Sequence, residues 1–141
     1  MKIIQEKDGF FVLRFSKGEE FKKTFTAFVK ERAIRGGFFY GIGGATNARL
    51  SYYNLEKKVY ETKEFSDAHF EVANITGNVA QREGEYVIHA HATIADKDFV
   101  AFGGDVGEFI VGGTLELFLT ILDPMERELD EKTGLSLLTQ L

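Results

Sequence analysis

The sequence predicts an α+β fold: one domain spanning residues 1–141, mainly antiparallel β-sheet with one long amphipathic helix. Three observations carry this. Fifteen glycines and a single proline punctuate short apolar runs, as tight turns between strands do. Most of these runs alternate with period two, and one alone follows a helical period. The 141 residues suffice for one sizeable core, and no repeat, low-complexity segment or linker divides them.

Ile3 to Phe15 reads as a hairpin turning at Lys7-Asp8-Gly9, with Phe11, Leu13 and Phe15 alternating after the turn. Ser16-Lys17-Gly18-Glu19 matches the Ser-x-x-Glu capping box. Phe21, Phe25, Phe28 and Val29 then recur at helical spacing, and the helix is expected to end at Gly36-Gly37. Such an aromatic stripe is a core face rather than a cofactor box. Phe38 to Tyr53 is a strand carrying Gly41, Gly43 and Gly44. Gly-x-Gly-Gly without a following Gly-Lys-Ser/Thr matches no nucleotide loop, so no nucleotide cofactor is expected. A strand that bends, or admits another backbone closely, explains the glycines better.

Asn54 to Lys58 turns the chain into a short polar strand ending near Thr62. Phe70 to Val79 alternates again, and Gln81-Arg82-Glu83-Gly84 turns it into Tyr86 to Ile94. Phe99 to Phe102 pairs next, and Gly103-Gly104 reads as a turn. After Gly112-Gly113, Leu115, Leu117, Leu119 and Ile121 share one strand face, with Glu116 opposite. Asp123-Pro124 stops that strand, and the tail forms two short strands around a charged turn closing at Thr133-Gly134.

Composition narrows the function. With no cysteine there is no disulfide, thiol nucleophile or Cys-type zinc site, which fits a cytoplasmic protein. Met1 to Glu6 meets charge too early for a signal peptide, and no apolar run reaches membrane-span length. A net charge of −5 argues against a free-standing DNA binder. Lys22, Lys23, Lys30, Arg32 and Arg35 bias the helix region to the basic side, but Glu19, Glu20 and Glu31 interrupt them.

The chemistry concentrates between Gly84 and Asp105. His89 and His91 fall on one face of their strand, with Cβ atoms roughly 6–7 Å apart. Neutral imidazoles at that spacing can converge on one metal ion. A hairpin turning at the glycine pair would bring the Asp105 carboxylate back to them. His69, leading into the neighbouring strand with Asp67, is a further ligand candidate or a rim residue. The alternative for His89 and His91 is a pair of hydrogen-bonded histidines inside a subunit interface. Glu71 and Glu116 sit in apolar strands, where a carboxylate needs a partner; Arg49 or Arg82 could supply it.

Gly41-Ile42-Gly43-Gly44-Ala45, Leu50-Ser51-Tyr52-Tyr53, Phe70-Glu71-Val72, Gly77-Asn78-Val79, His89-Ala90-His91, Gly103-Gly104, Glu116 and Thr133-Gly134-Leu135 occur in one order along nearly the whole chain. In that order they resemble the PPC (plants and prokaryotes conserved) domain, in its stand-alone prokaryotic form. The resemblance implies a compact α+β homotrimer, related in fold to acetolactate decarboxylase, with a His-x-His and Gly-Gly-His metal triad. Plant members add AT-hooks that bind A·T-rich DNA and use the domain to associate with other proteins. This chain has no Arg-Gly-Arg-Pro element, and Asp105 stands where the triad's third histidine is expected. Two histidines and one carboxylate suit zinc or iron(II).

Three functions follow. The first is a homotrimeric module binding a divalent metal or small ligand through His89, His91 and Asp105, with Glu116, Glu71 and His69 around it. The second is a DNA-associated regulator, by family analogy. The third is a metal-dependent hydrolase or decarboxylase with Glu116 as acid or base. No nucleophile motif supports catalysis further, so the reading is of a binding module rather than an enzyme.

Overall fold

Among the described residues, apolar alternation resolves into nine paired strands around one helix. In the computed structural model these are β1 (Lys2–Lys7), β2 (Phe10–Ser16), α1 (Phe21–Glu31), β3 (Gly37–Asn54), β4 (Val59–Phe65), β5 (Phe70–Arg82), β6 (Glu85–Ala95), β7 (Ala101–Ile121), β8 (Glu126–Asp130) and β9 (Leu135–Thr139). The structure describes residues 1–66 and 68–139; Asp67, named above at the approach to β5, lies outside the described residues, as do Gln140 and Leu141.

The sheet runs β1-β2-β7-β3-β5-β8-β9, with β4 against β3 and β6 against both β5 and β7. It is a mixed sheet. Among the described residues every ladder is antiparallel except the single parallel bridge from Gln81 to Glu126, which attaches the β8–β9 hairpin. Because β6 pairs β5 and β7, which both pair β3, the ladders form a closed circuit. Asp8-Gly9 and Glu83-Gly84 make the tight turns, all four residues with φ between 47° and 81°. Those are the left-handed conformations that two-residue hairpin loops demand.

Two expectations about the helix are corrected. It is short rather than long, 11 residues, and stops at Glu31 instead of Gly36-Gly37. Ala33 takes φ 51° and Ile34 N–H donates to the Val29 carbonyl at 2.9 Å, which closes the last turn. Gly36 is needed for something else: a Cβ there would lie 1.9 Å from the Asp123 carbonyl oxygen. The N-cap is Glu20, whose carboxylate accepts from Lys22 and Lys23 N–H. Ser16 and Glu19 do bond, Ser16 N–H to Glu19 Oε2 at 2.7 Å, but in the turn before the helix.

Phe21, Phe25, Phe28 and Val29 bury the helix against the sheet. Phe25 packs edge-on to Phe39 at 5.1 Å, and Phe11 to Phe28 at 5.4 Å. Leu115, Leu117 and Leu119 are fully buried beneath them, while Ile121 is 36% exposed at the strand end. Gly103-Gly104 is not a turn. β7 is one strand of 21 residues that runs straight through it, and the turn from β6 lies earlier, where Asp96 Oδ1 accepts from Asp98 and Val100 N–H at 2.9 Å each. β4 likewise runs from Val59 to Phe65, past the end expected near Thr62.

The glycines of β3 serve close backbone approach. A Cβ on Gly43 would sit 2.2 Å from the Thr114 carbonyl oxygen, and one on Gly41 2.3 Å from that of Glu116. Neither obstacle is a movable side-chain tip. Gly43→Ala is therefore expected to lower stability by about 1–3 kcal/mol. Gly113→Ala, which meets nothing within 4 Å, should stay within about 0.5 kcal/mol of the parent. Urea unfolding of both variants checks the contrast; equal midpoints would remove the close-approach explanation.

Candidate metal centre

Along β6, Ile88, Ala90, Ala92 and Ile94 turn inward, which puts His89 and His91 on the opposite face. β7 pairs with β6 over Ala101 to Asp105, with Asp105 directly across from His91. Beyond that point β7 leaves β6 and pairs with β3, where Asp105 faces Ser51. The carboxylate thus stands at the fork where β7 changes partner. Gly104 makes the fork passable, since a Cβ there would meet the Ser51 carbonyl oxygen at 2.7 Å.

The three predicted ligands meet. His89 Nε2 lies 3.2 Å and His91 Nε2 3.7 Å from Asp105 Oδ2. One donor atom from each residue lies within 4.8 Å of the others, and this is the one such group among the described residues. The imidazole rings are 5.1 Å apart and nearly perpendicular, so both can aim a nitrogen at a common point. Side-chain exposures of 39% for His89, 59% for His91 and 21% for Asp105 leave the point open to an entering ion. Two imidazoles and a carboxylate at these separations fit a divalent cation that keeps an open position.

Sequence reasoning missed Arg127. It lies on β8, the first of the two short strands expected in the tail, and it is only 7% exposed. Its guanidinium donates to the Ser136 carbonyl at 2.6 Å and to Asn78 Oδ1 at 2.9 Å, and stands 3.1 Å from His89 Nδ1. A guanidinium can only donate. Nδ1 therefore accepts, and the neutral ring holds its proton on Nε2, the nitrogen facing Asp105. Burial lowers Arg127 from its ordinary range, while Asp105 and Tyr60 favour its charge. Lys22, on the first turn of α1, is lowered by burial in the same way and supported by Asp105 and Glu20. The signal for Arg127 lay in the alternation of β8, but its partners are 38 and 49 residues away in sequence.

These groups line a cleft of about 570 Å³, walled by Tyr52, Tyr53 and Tyr60 and by Leu135 and Leu137 of the tail. Tyr53 fixes the hairpin there, its hydroxyl donating to the Thr133 carbonyl at 2.7 Å. His69, Glu71 and Glu116 lie elsewhere. They line a second cleft of about 530 Å³ with Gly43, Gly44 and Thr114, and the two clefts share no lining residue. His69 Nε2 contacts Glu71 Oε1 at 3.2 Å. Both glutamates are exposed, so neither needs the arginine partner expected above; Arg82 instead lies 3.8 Å from Glu83.

A family model described as the Plants and Prokaryotes Conserved (PCC) domain matches residues 4–123. Solved structures share the fold. A metal-containing protein from Archaeoglobus fulgidus is 30% identical, covering 99% of this chain and 100% of that one at a TM-score of 0.87. A plant- and prokaryote-conserved (PPC) protein from Pyrococcus horikoshii is 30% identical over 94% of this chain and 92% of its own, at 0.85. A candidate DNA-binding protein from Bacteroides thetaiotaomicron is 25% identical over 96% and 94%, at 0.90. No curated protein matches the sequence.

Replacing Arg127 by methionine keeps the apolar stem and removes the donors to Asn78 and Ser136. Hydrogen bonds from charged groups contribute about 1.5–3 kcal/mol. Arg127→Met is expected to lose that much, read as a lower urea midpoint. An unchanged midpoint would show that the guanidinium does not hold the hairpin to the sheet.

Proposed function

The chain belongs to the Plants and Prokaryotes Conserved domain family, and we propose that this member is a homotrimeric binding module whose His89, His91 and Asp105 hold a divalent metal ion. The observation that carries the reading is the convergence of the three donor atoms at the β7 fork. The metal-containing Archaeoglobus relative supports it. Asp105 in place of a third imidazole supplies a hard, anionic oxygen, which suits zinc or iron(II) as well as softer donor sets do.

A bound divalent ion supplies Lewis acidity, polarising a carbonyl or lowering the pKa of bound water. The chain's own groups govern access. His89 can present Nε2 as a ligand only when Nδ1 carries the proton, so Arg127 must give up its contact with Nδ1. Asp105 offsets the positive charge. Glu116 lies in the other cleft, so no acid or base role beside the ion is assigned to it.

Direct duplex binding is the weaker reading, although relatives carry that candidate role. Of the basic residues near the helix, Lys30 lies 3.5 Å from Glu85 and Arg32 2.9 Å from Glu6, and Lys22 faces the cleft. Lys23 and Arg35 stay exposed without an ion pair among the described residues, a small positive surface for phosphates on a chain whose net charge is −5. No helix among the described residues is long and apolar enough to cross a membrane.

Self-association draws on a different surface from the leucine strand, whose Leu115, Leu117 and Leu119 are core. Phe38, Tyr40 and Ile42, 46%, 50% and 57% exposed, form an apolar strip on one face of β3. Sedimentation is expected to give a trimer at micromolar concentration; a stable monomer would remove that part of the proposal.

For the ion, untagged protein purified without chelators should carry near-stoichiometric zinc or iron by elemental analysis. His91→Ala should weaken zinc affinity by roughly 100-fold or more, beyond what loss of a supporting contact to a ligand costs. If the parent takes up no metal even after incubation with zinc, the ligand assignment fails.

A further inference from the structure

We propose that the His89 cleft also binds a small organic carboxylate with an apolar body, its carboxylate held by Lys22 and Arg127. The inference rests on reading this cleft as a binding site and uses protein groups alone.

Charge is the first observation. Lys22 and Arg127 face one carboxylate, Asp105, which leaves the lining at a formal +1 with neutral imidazoles. The whole chain is at −5, so the cleft opposes the global sign. Arg127 is buried, yet its hydrogen bonds go to neutral acceptors: the Ser136 carbonyl, Asn78 Oδ1 and His89 Nδ1. Its Nε has no partner among the described residues, nor has the neighbouring Ser136 Oγ. Lys22 makes no ion pair among the described residues. Asp105 is shared between both cations and forms an ion pair with neither; a buried cation so weakly compensated is costly, and a guanidinium is shaped for a carboxylate.

Shape and polarity give the rest of the ligand. The opening holds about 570 Å³, the size of a small-molecule site. Its apolar walls include Tyr53, Tyr60, Val87, Leu135 and Leu137. Such walls reward an apolar or aromatic body and give nothing to a bare inorganic anion.

Calorimetric titration of chelator-treated protein tests this with three probes: benzoate, its neutral counterpart benzamide, and inorganic phosphate. Benzoate is expected to bind, with benzamide and phosphate at least about tenfold weaker, since a charge-assisted contact is worth that factor or more. Lys22→Met should weaken benzoate by at least about tenfold while keeping the parent's melting temperature, because Lys22 carries no structural ion pair. No benzoate binding, equal binding of benzamide or phosphate, or a Lys22→Met variant that binds benzoate like the parent would each overturn the proposal. Metal is removed throughout, so failure here leaves the ion assignment standing, and failure of zinc uptake leaves this one standing.

Discussion

The close passage of β3 against β7 is the constraint on which the rest depends. β7 is 21 residues long and β3 is 18, and they pair from Gly37–Ile121 to Ser51–Asp105 with three register shifts. Each shift lets the pair twist and bend, as bulges do. Gly41 and Gly43 permit the approach because the opposing obstacle is backbone, which cannot step aside. A strand this long and curved can serve β2 at one end and β6 at the other. The sheet closes on itself for that reason, and the fork at Asp105 follows.

The fork explains why polar chemistry gathers where it does. Where β7 parts from β6, the edge of β6 before His91 is left without a β7 partner, and the outward face beside it carries His89 and His91. The β8–β9 hairpin then folds over the gap and brings Arg127 and the Leu135–Leu137 wall. The family match ends at residue 123, so this covering element lies beyond it. The three proposed ion ligands come from β6 and β7, and the guanidinium beside His89 comes from the tail.

Electrostatics at the site is a balance rather than a simple acidic pocket. Asp105 favours the charge on both Lys22 and Arg127 against their burial. The same carboxylate is the proposed third ligand of an ion between the two imidazoles. Cation, guanidinium and ammonium therefore compete for one anion. A second anion entering from solvent would relieve that competition, which would give the proposed metal module and the proposed anion site a physical reason to share one cleft.

Much of this was legible in the sequence because it depends on neighbours along the chain. Period-two alternation located the strands, the spacing of Phe21, Phe25, Phe28 and Val29 located the helix, and His89 and His91 declared a common face through their i, i+2 spacing. The glycine-rich β3 and the order of motifs pointed to the family. Helix length was misread because its end was sought in Gly36-Gly37, which serve strand contacts, while Ala33 makes the stop. Gly103-Gly104 looked like a turn because glycine's need is ambiguous locally: a tight bend and a close crossing ask for the same missing Cβ. Asp105 was therefore placed near the histidines through the wrong geometry, a turn instead of a partner change. Arg127, Lys22 and the separation of His69, Glu71 and Glu116 into another cleft were decided by the tertiary structure alone. Burial and pairing between residues tens of positions apart depend on which strands meet, and no local period encodes that.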